Sequence, residues 1–176
     1  LPHEGDNRVR RLIAWAVLRH GDTLIVHSAQ DQQIAQQLLP GKSIKRTPHP
    51  TYGVFEHLSS TPEPDVIRQK FGLIDKQVLL FFGFVRPYKG LISLIDALPI
   101  VRRSVANTHL LVVGEFWGSK QPYLEHIAQL GITDAVTIVD RYVPNEEVGA
   151  YFAAADVAVL PYVSATQSGV AQLPFG

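Results

Sequence analysis

Four short apolar runs, residues 78–82, 110–113, 136–139 and 157–160, constrain this chain more than any other feature of it. Each is of strand length and apolar almost throughout, without the alternation of a strand that has one face in water. Such continuity marks strands buried on both faces, the environment of a parallel sheet. Between the runs the apolar residues switch to helical spacing: Leu91, Leu94, Ile95, Leu98 and Val101, then a segment from Pro122 to Leu130, then Val148, Tyr151, Phe152 and Ala155. Strands and helices in alternation, joined by right-handed crossovers, predict an α/β fold with a doubly wound parallel sheet.

Local punctuation agrees. Pro122 suits the first turn of its helix and Gly131 the position just past its end. Asn145 is placed to cap the next helix, with Glu146 and Glu147 complementing its dipole. Pro99 is expected to kink or break the helix that begins at Leu91. A short helix at 65–71, stopped by Gly72, precedes the first run. Further upstream the pattern reads helix from Val9 to His20, strand at 24–26, helix capped by Ser28 or Asp31, and a weaker strand at 43–47. This α-β-α-β portion, residues 1–50, has too few elements to bury a core of its own, and is expected to be the remnant of a second α/β domain. Pro48, Pro50, Pro62 and Pro64 mark an aperiodic linker, placed at 51–64, and leave 65–176 as the other domain. The chain starts at Leu1, has no methionine and stops in a turn, so a piece of a longer protein is expected.

In a doubly wound sheet ligands bind beyond the carboxyl ends of the strands. Here those ends carry residues 83–90, 114–118, 140–144 and 161–169. The first is Gly83-Phe84-Val85-Arg86-Pro87-Tyr88-Lys89-Gly90, a glycine-bounded loop with two cations that opens into a helix. A helix N-terminus with an arginine and a lysine beside it is an anion site; two solvated cations in a tight turn is the plainer alternative. The second loop offers Gly114, Glu115, Phe116 and Trp117, the tryptophan reading as loop packing. The last, Ser164-Ala165-Thr166-Gln167-Ser168-Gly169-Val170, is rich in hydroxyls and small residues and leads into another apparent helix start. Two such termini and two cations facing one crevice suit a diphosphate.

Other chemistries lack their residues. The 16 basic and 16 acidic side chains cancel, so no global field draws the chain to nucleic acid or anionic lipid. Without cysteine there is neither a disulfide nor a thiolate metal site, and none of the seven histidines falls in a His-Glu-x-x-His pattern. No dinucleotide fingerprint, Walker loop or Gly-x-Ser-x-Gly elbow occurs. His49 and the His3-Glu4 pair stand as lesser site candidates beside the plainer reading of solvated side chains. No apolar stretch approaches the ~20 residues of a membrane span, and no signal peptide is visible. A cytoplasmic location is expected, any peripheral membrane contact being left to regions outside this chain.

The residues of this chain resemble a family 4 retaining glycosyltransferase of the two-domain, Rossmann-like GT-B architecture. The resemblance rests on Pro48-His49-Pro50 with Tyr52 and Phe55, on residues 80–90 and 111–114, and on Val143-Pro144-Asn145-Glu146-Glu147, Tyr151, Ala155-Asp156-Val157 and Leu160-Pro161-Tyr162. It implies that 1–50 ends the acceptor domain and that 65–176 is most of the sugar-nucleotide domain. It also implies transfer of a sugar from a nucleotide-sugar to a carbohydrate or lipid-linked acceptor with retention, in cell-surface polysaccharide or glycoconjugate synthesis, without a metal ion or other cofactor. Lys89 and Arg86 would then stabilise the departing diphosphate, with Gly83, Gly90, Gly114, Glu115, Ser168, Gly169 and Val170 about it. Thr166 and Gln167 would lie near the sugar, and Arg141, Tyr142 and Val143 beside the base. Two departures stand out: Phe84 occupies the family's usual arginine position, and Thr166 and Pro174 stand near the places of a paired glutamate. A non-catalytic glycosyltransferase-like binding module is the alternative that the missing glutamate pair favours. The fragment by itself is expected to be inactive or nearly so.

Overall fold

The computed structural model describes residues 8–48, 64–164 and 168–171. His3, Glu4, His49, Thr166, Gln167, Pro174 and all of the 51–64 segment except Pro64 lie outside the described residues. The chain divides into two units, Leu1–Pro50 and Thr51–Gly176.

The first unit contains α1 (Arg8–His20), β1 (Thr23–Val26), α2 (Ala29–Leu38) and β2 (Ser43–Arg46), with β1 and β2 paired in parallel. Ser28 caps α2 by accepting the Asp31 N–H at 3.0 Å, one of the two caps the sequence offered. Among its described residues only Ala35 and Leu39 are buried, while Leu12, Ile13, Trp15 and Val17 of α1 stand exposed.

The second unit is built from α3 (Pro64–Lys70), β3 (Gln77–Phe82), α4 (Leu91–Ser104), β4 (Thr108–Val113), α5 (Gln121–Gln129), β5 (Val136–Val139), α6 (Asn145–Ala153) and β6 (Val157–Ala158). Its four strands form one parallel sheet in the order β5-β4-β3-β6. Because side chains alternate along a strand, the apolar runs feed two cores at once. Val78, Leu80, Leu111 and Val113 pack on one face with Ile67 of α3 and Val148, Ala150 and Tyr151 of α6. Phe81, Leu110 and Val112 pack on the other with Leu91, Leu94, Ile95 and Leu98 of α4 and Ile127 of α5. The sheet is doubly wound, as the runs predict.

Three local expectations change. Helix α4 runs through Pro99 to Ser104 as one element. Proline withholds only the N–H that would have bonded the carbonyl of Ile95, and Val105 still closes on Val101 at 2.9 Å. Asn145 does not cap α6: it is the first helical residue, and Pro144 occupies the cap position without a side-chain bond. The last strand is shorter than its apolar run, although Val159 N–H still donates to Leu80 at 2.8 Å. Asp156, just before it, ties the sheet edge to α3 by accepting from Val78 N–H at 2.6 Å and from Arg68 Nη2 at 3.0 Å.

Candidate active site

The loops after all four strands of the second unit line one cleft of about 520 Å³. Its walls include Gly83, Phe84, Tyr88 and Lys89 from the first loop, Gly114 and Glu115 from the second, Arg141, Tyr142 and Val143 from the third, and Tyr162, Ser168, Gly169 and Val170 from the last. Phe82 at the end of β3, and Asn145 and Val148 in the first turns of α6, complete it.

Of the two cations that line this cleft, Lys89 and Arg141, Lys89 is the one with no carboxylate partner among the described residues. A 3-10 turn at Pro87–Lys89 directs its side chain back across the end of β3, where the residue is 8% exposed. A Cβ placed on Gly83 would lie 3.0 Å from Lys89 Nζ and 3.3 Å from Val170 Cγ2, so a side chain there would crowd the ammonium and press it aside by a few tenths of an ångström. The φ of +101° at Gly83 itself demands glycine. Among the described residues no carboxylate pairs with Lys89. Its nearest compensation is the Tyr162 ring, whose centroid lies 5.8 Å from Nζ. Burial first, and the Arg86 charge second, hold its pKa below that of an ordinary lysine. An unneutralised cation held in such surroundings gains from any anion that enters.

Arg86 is placed differently. It is not among the cleft-lining residues. Its guanidinium lies 4.2 Å from the centroid of the Trp117 ring, which in turn meets Phe84 edge-on at 6.4 Å. The cause is a parallel bridge between Val85 and Phe116, with Trp117 N–H donating to Val85 O at 3.1 Å, which sets the first two loops side by side. Trp117 thus packs within the loops, as its sequence context suggests. Gly90 also stays out of the cleft: it is buried against Pro161, where a Cβ would fall 2.0 Å from the carbonyl oxygen. No residue of α4 lines the cleft. The helix N-terminus that does reach it belongs to α6, through Asn145.

On the far wall Arg141 is committed to Glu147, which it meets through two guanidinium nitrogens, and donates to Tyr151 Oη at 3.2 Å. The bond to Glu147 raises the pKa of the arginine further. Gly114 (φ +140°) permits the approach of the first two loops, since a Cβ there would sit 2.2 Å from Gly83 O. Of the sequence candidates, Lys89, Gly83, Gly114, Glu115, Tyr142, Val143, Ser168, Gly169 and Val170 meet in one cleft, while Thr166 and Gln167 lie outside the described residues. Phe82, Phe84, Tyr88, Asn145, Val148 and Tyr162 join them without being expected there from the sequence. Several of these stood in sequence motifs, Phe82, Phe84 and Tyr88 in the 80–90 stretch, Asn145 in Val143-Pro144-Asn145-Glu146-Glu147 and Tyr162 in Leu160-Pro161-Tyr162, but Val148 carried only its place in the buried stripe of α6.

Comparison with known proteins bears on this geometry. The family described as "Glycosyl transferases group 1" matches residues 76–173, which is more than half of the chain. The GDP-mannose-dependent alpha-(1-6)-phosphatidylinositol monomannoside mannosyltransferase of Mycolicibacterium smegmatis is 37% identical over 107 residues, 57% of this chain and 26% of that protein. The alpha-D-kanosaminyltransferase of Streptomyces kanamyceticus is 23% identical over 139 residues, 78% of this chain and 35% of that protein. The chain therefore spans about a quarter to a third of the curated relatives it matches. Among solved structures, Anabaena HepE in complex with UDP and glucose superposes with a TM-score of 0.75 at 19% identity, covering 94% of this chain and 45% of HepE. WaaG, a glycosyltransferase involved in lipopolysaccharide biosynthesis, superposes at 0.70 and 22% identity, covering 84% of this chain and 40% of WaaG. These likenesses establish the fold as that of GT-B glycosyltransferases.

Proposed function

The chain belongs to the group 1 glycosyl transferases, and from that premise we propose that its cleft holds the nucleoside diphosphate of a sugar-nucleotide donor in a retaining, family 4 enzyme. The observation that carries this is Lys89, a nearly buried ammonium facing the cleft with no described carboxylate to neutralise it. In that position it stabilises the negative charge that grows on the diphosphate as the anomeric bond breaks. Ser168, Gly169 and Val170 face it from the last loop, and Arg141, Tyr142 and Val143 are assigned to the base. The GDP-mannose dependence named for the mycobacterial relative, and the UDP and glucose bound in the HepE complex, support a sugar nucleotide as the ligand class. Residues 1–50 are proposed to end the acceptor domain, and the whole protein to act on a carbohydrate or lipid-linked acceptor of the cell surface. Among the described residues no helix is long and apolar enough to cross a membrane. No metal ion is assigned a role, so nucleotide affinity should be the same in EDTA and in magnesium.

Calorimetric titration of the chain with GDP and UDP tests the reading. Lys89→Ala should weaken diphosphate binding about ten- to a hundredfold, the range of one charge-assisted contact, and leave the nucleoside unaffected. Arg86→Ala should weaken it by less than about threefold, the scale of a screened charge outside the cleft. Because the pKa of Lys89 is lowered, wild-type affinity should begin to fall at a pH below that at which an ordinary lysine deprotonates. Absence of binding at millimolar nucleotide with the fold intact would sink the proposal. The alternative, a non-catalytic binding module, draws on Thr166 and Pro174 standing near the family's glutamate positions. Sugar-nucleotide hydrolysis or transfer by the full-length protein separates the two.

A further inference from the structure

Tyr162 touches both halves of the proposed phosphate site. Its ring lies under the Lys89 ammonium, at 5.8 Å from centroid to Nζ. Its hydroxyl meets Ser168 Oγ at 2.7 Å. Ser168 Oγ in turn accepts the Ala171 N–H at 3.4 Å, where Val170 and Ala171 form a 3-10 turn. The ring is itself fixed from the first loop: Tyr88 packs edge-on against it at 6.3 Å, and Val163 N–H donates to Tyr88 O at 2.9 Å. A cation over a π face is stabilised without being neutralised, so its full charge remains available to an incoming anion. A carboxylate in the same place would compete with the ligand.

We propose that Tyr162 is a positioning residue for the donor diphosphate, coupling the Lys89 turn to the Ser168-Gly169-Val170 loop through one ring and one hydroxyl. The proposal rests on the reading of the cleft as a sugar-nucleotide site. Lys89 and the last loop are far apart in sequence; the pairing of β3 with β6 and the Val163–Tyr88 bond bring their backbones together, but neither reaches the Lys89 ammonium or Ser168 Oγ. Tyr162 does so with two geometrically independent contacts, which sets their separation before a ligand arrives. Such preorganisation lowers the cost of ordering both walls at binding. Burial raises the Tyr162 pKa above the usual phenol value, so the hydroxyl stays protonated across the physiological range.

The test compares GDP and UDP with guanosine and uridine on wild type, Tyr162→Phe, Ser168→Ala and the double variant. Tyr162→Phe keeps the ring beneath Lys89 and deletes only the link to Ser168. It should weaken the diphosphates about three- to tenfold, the worth of one hydrogen bond, and leave the nucleosides within twofold. Ser168→Ala should lose a similar factor, and the double variant little more than either, because both remove the same link. In the ligand-free chain, hydrogen exchange at the Ala171 amide should quicken in Tyr162→Phe while the β4 amides are unchanged. Unaltered diphosphate affinity in Tyr162→Phe, a loss shared equally by the nucleosides, or full additivity in the double variant would each overturn the proposal. If the wild-type chain binds no nucleotide, the donor-site reading fails instead, and Ala171 exchange alone decides whether Tyr162 orders the loop.

Discussion

The two units of this chain are made from the same local ingredients and differ in what those ingredients bury. Both pair parallel strands joined through a helix. In the second unit every residue of β4 is buried, and its neighbour β3 feeds two cores. In the first, β1 alternates between exposed and half-buried positions, and β2 is exposed at three of its four residues. Leu12, Ile13, Trp15 and Val17 of α1 are exposed, whereas α4 has buried Leu91, Leu94, Ile95 and Leu98. Helical or strand periodicity makes an element, but stability comes from a second layer packed on it. At roughly 25 cal/mol for each Å² of apolar surface removed from water, the burial contrast between the units is a contrast in stability.

Core truncation should expose that contrast most sharply. Leu98, 0% exposed, should cost about 2–5 kcal/mol on replacement by alanine. Ile13, 59% exposed in α1, should cost within about 0.5 kcal/mol. Denaturant unfolding reads both, and equal losses would break the comparison. Glycine substitutions come next. Gly114→Ala combines a φ of +140° with a Cβ 2.2 Å from Gly83 O, and should lose about 3 kcal/mol. Gly41→Ala in the first unit meets no atom within 4 Å and should lose only the backbone term, about 1 kcal/mol. The smallest effect is a pH slope. His109 is buried against Thr137, and desolvation, with Lys76 and Arg102 nearby, lowers its pKa below 6.5. The unfolded chain therefore binds the proton more readily, so stability should fall as pH drops below about 6.5, by at most about 1.4 kcal/mol per pH unit. His109→Gln should flatten that slope in the second unit.

The fold was more legible than the cleft. Continuous apolar runs have few other uses, which is why the four strands and their helices stand where periodicity puts them. Gly83 and Gly114 could be nominated because a strand end followed by glycine is a local signal. Arg86 and Gly90 were nominated for the same reason, being neighbours in sequence of Lys89, yet they point elsewhere: one stacks on Trp117, the other packs on Pro161. Alternate residues of a tight turn diverge, and sequence spacing does not say which one turns inward. The helix N-terminus was likewise assigned by adjacency to α4, while the geometry gives that place to α6. Tyr162 and Tyr88 reach the cleft through contacts between distant segments, for which no periodicity exists.

What the sequence determined by itself is the inventory: apolar runs that require burial on both faces, helical stripes to cover them, glycines at strand ends, and a lysine with a loop of hydroxyls to receive an anion. These follow from local sterics and the hydrophobic effect, which act on neighbours along the chain. Only the tertiary structure decided that Lys89 turns into the cleft while Arg86 turns onto Trp117, that Gly83 leaves room for an ammonium, and that Tyr162 bridges to Ser168. Those outcomes depend on which loops the sheet order β5-β4-β3-β6 sets side by side. Strand order is a property of the packed sheet, written in no single segment of the chain.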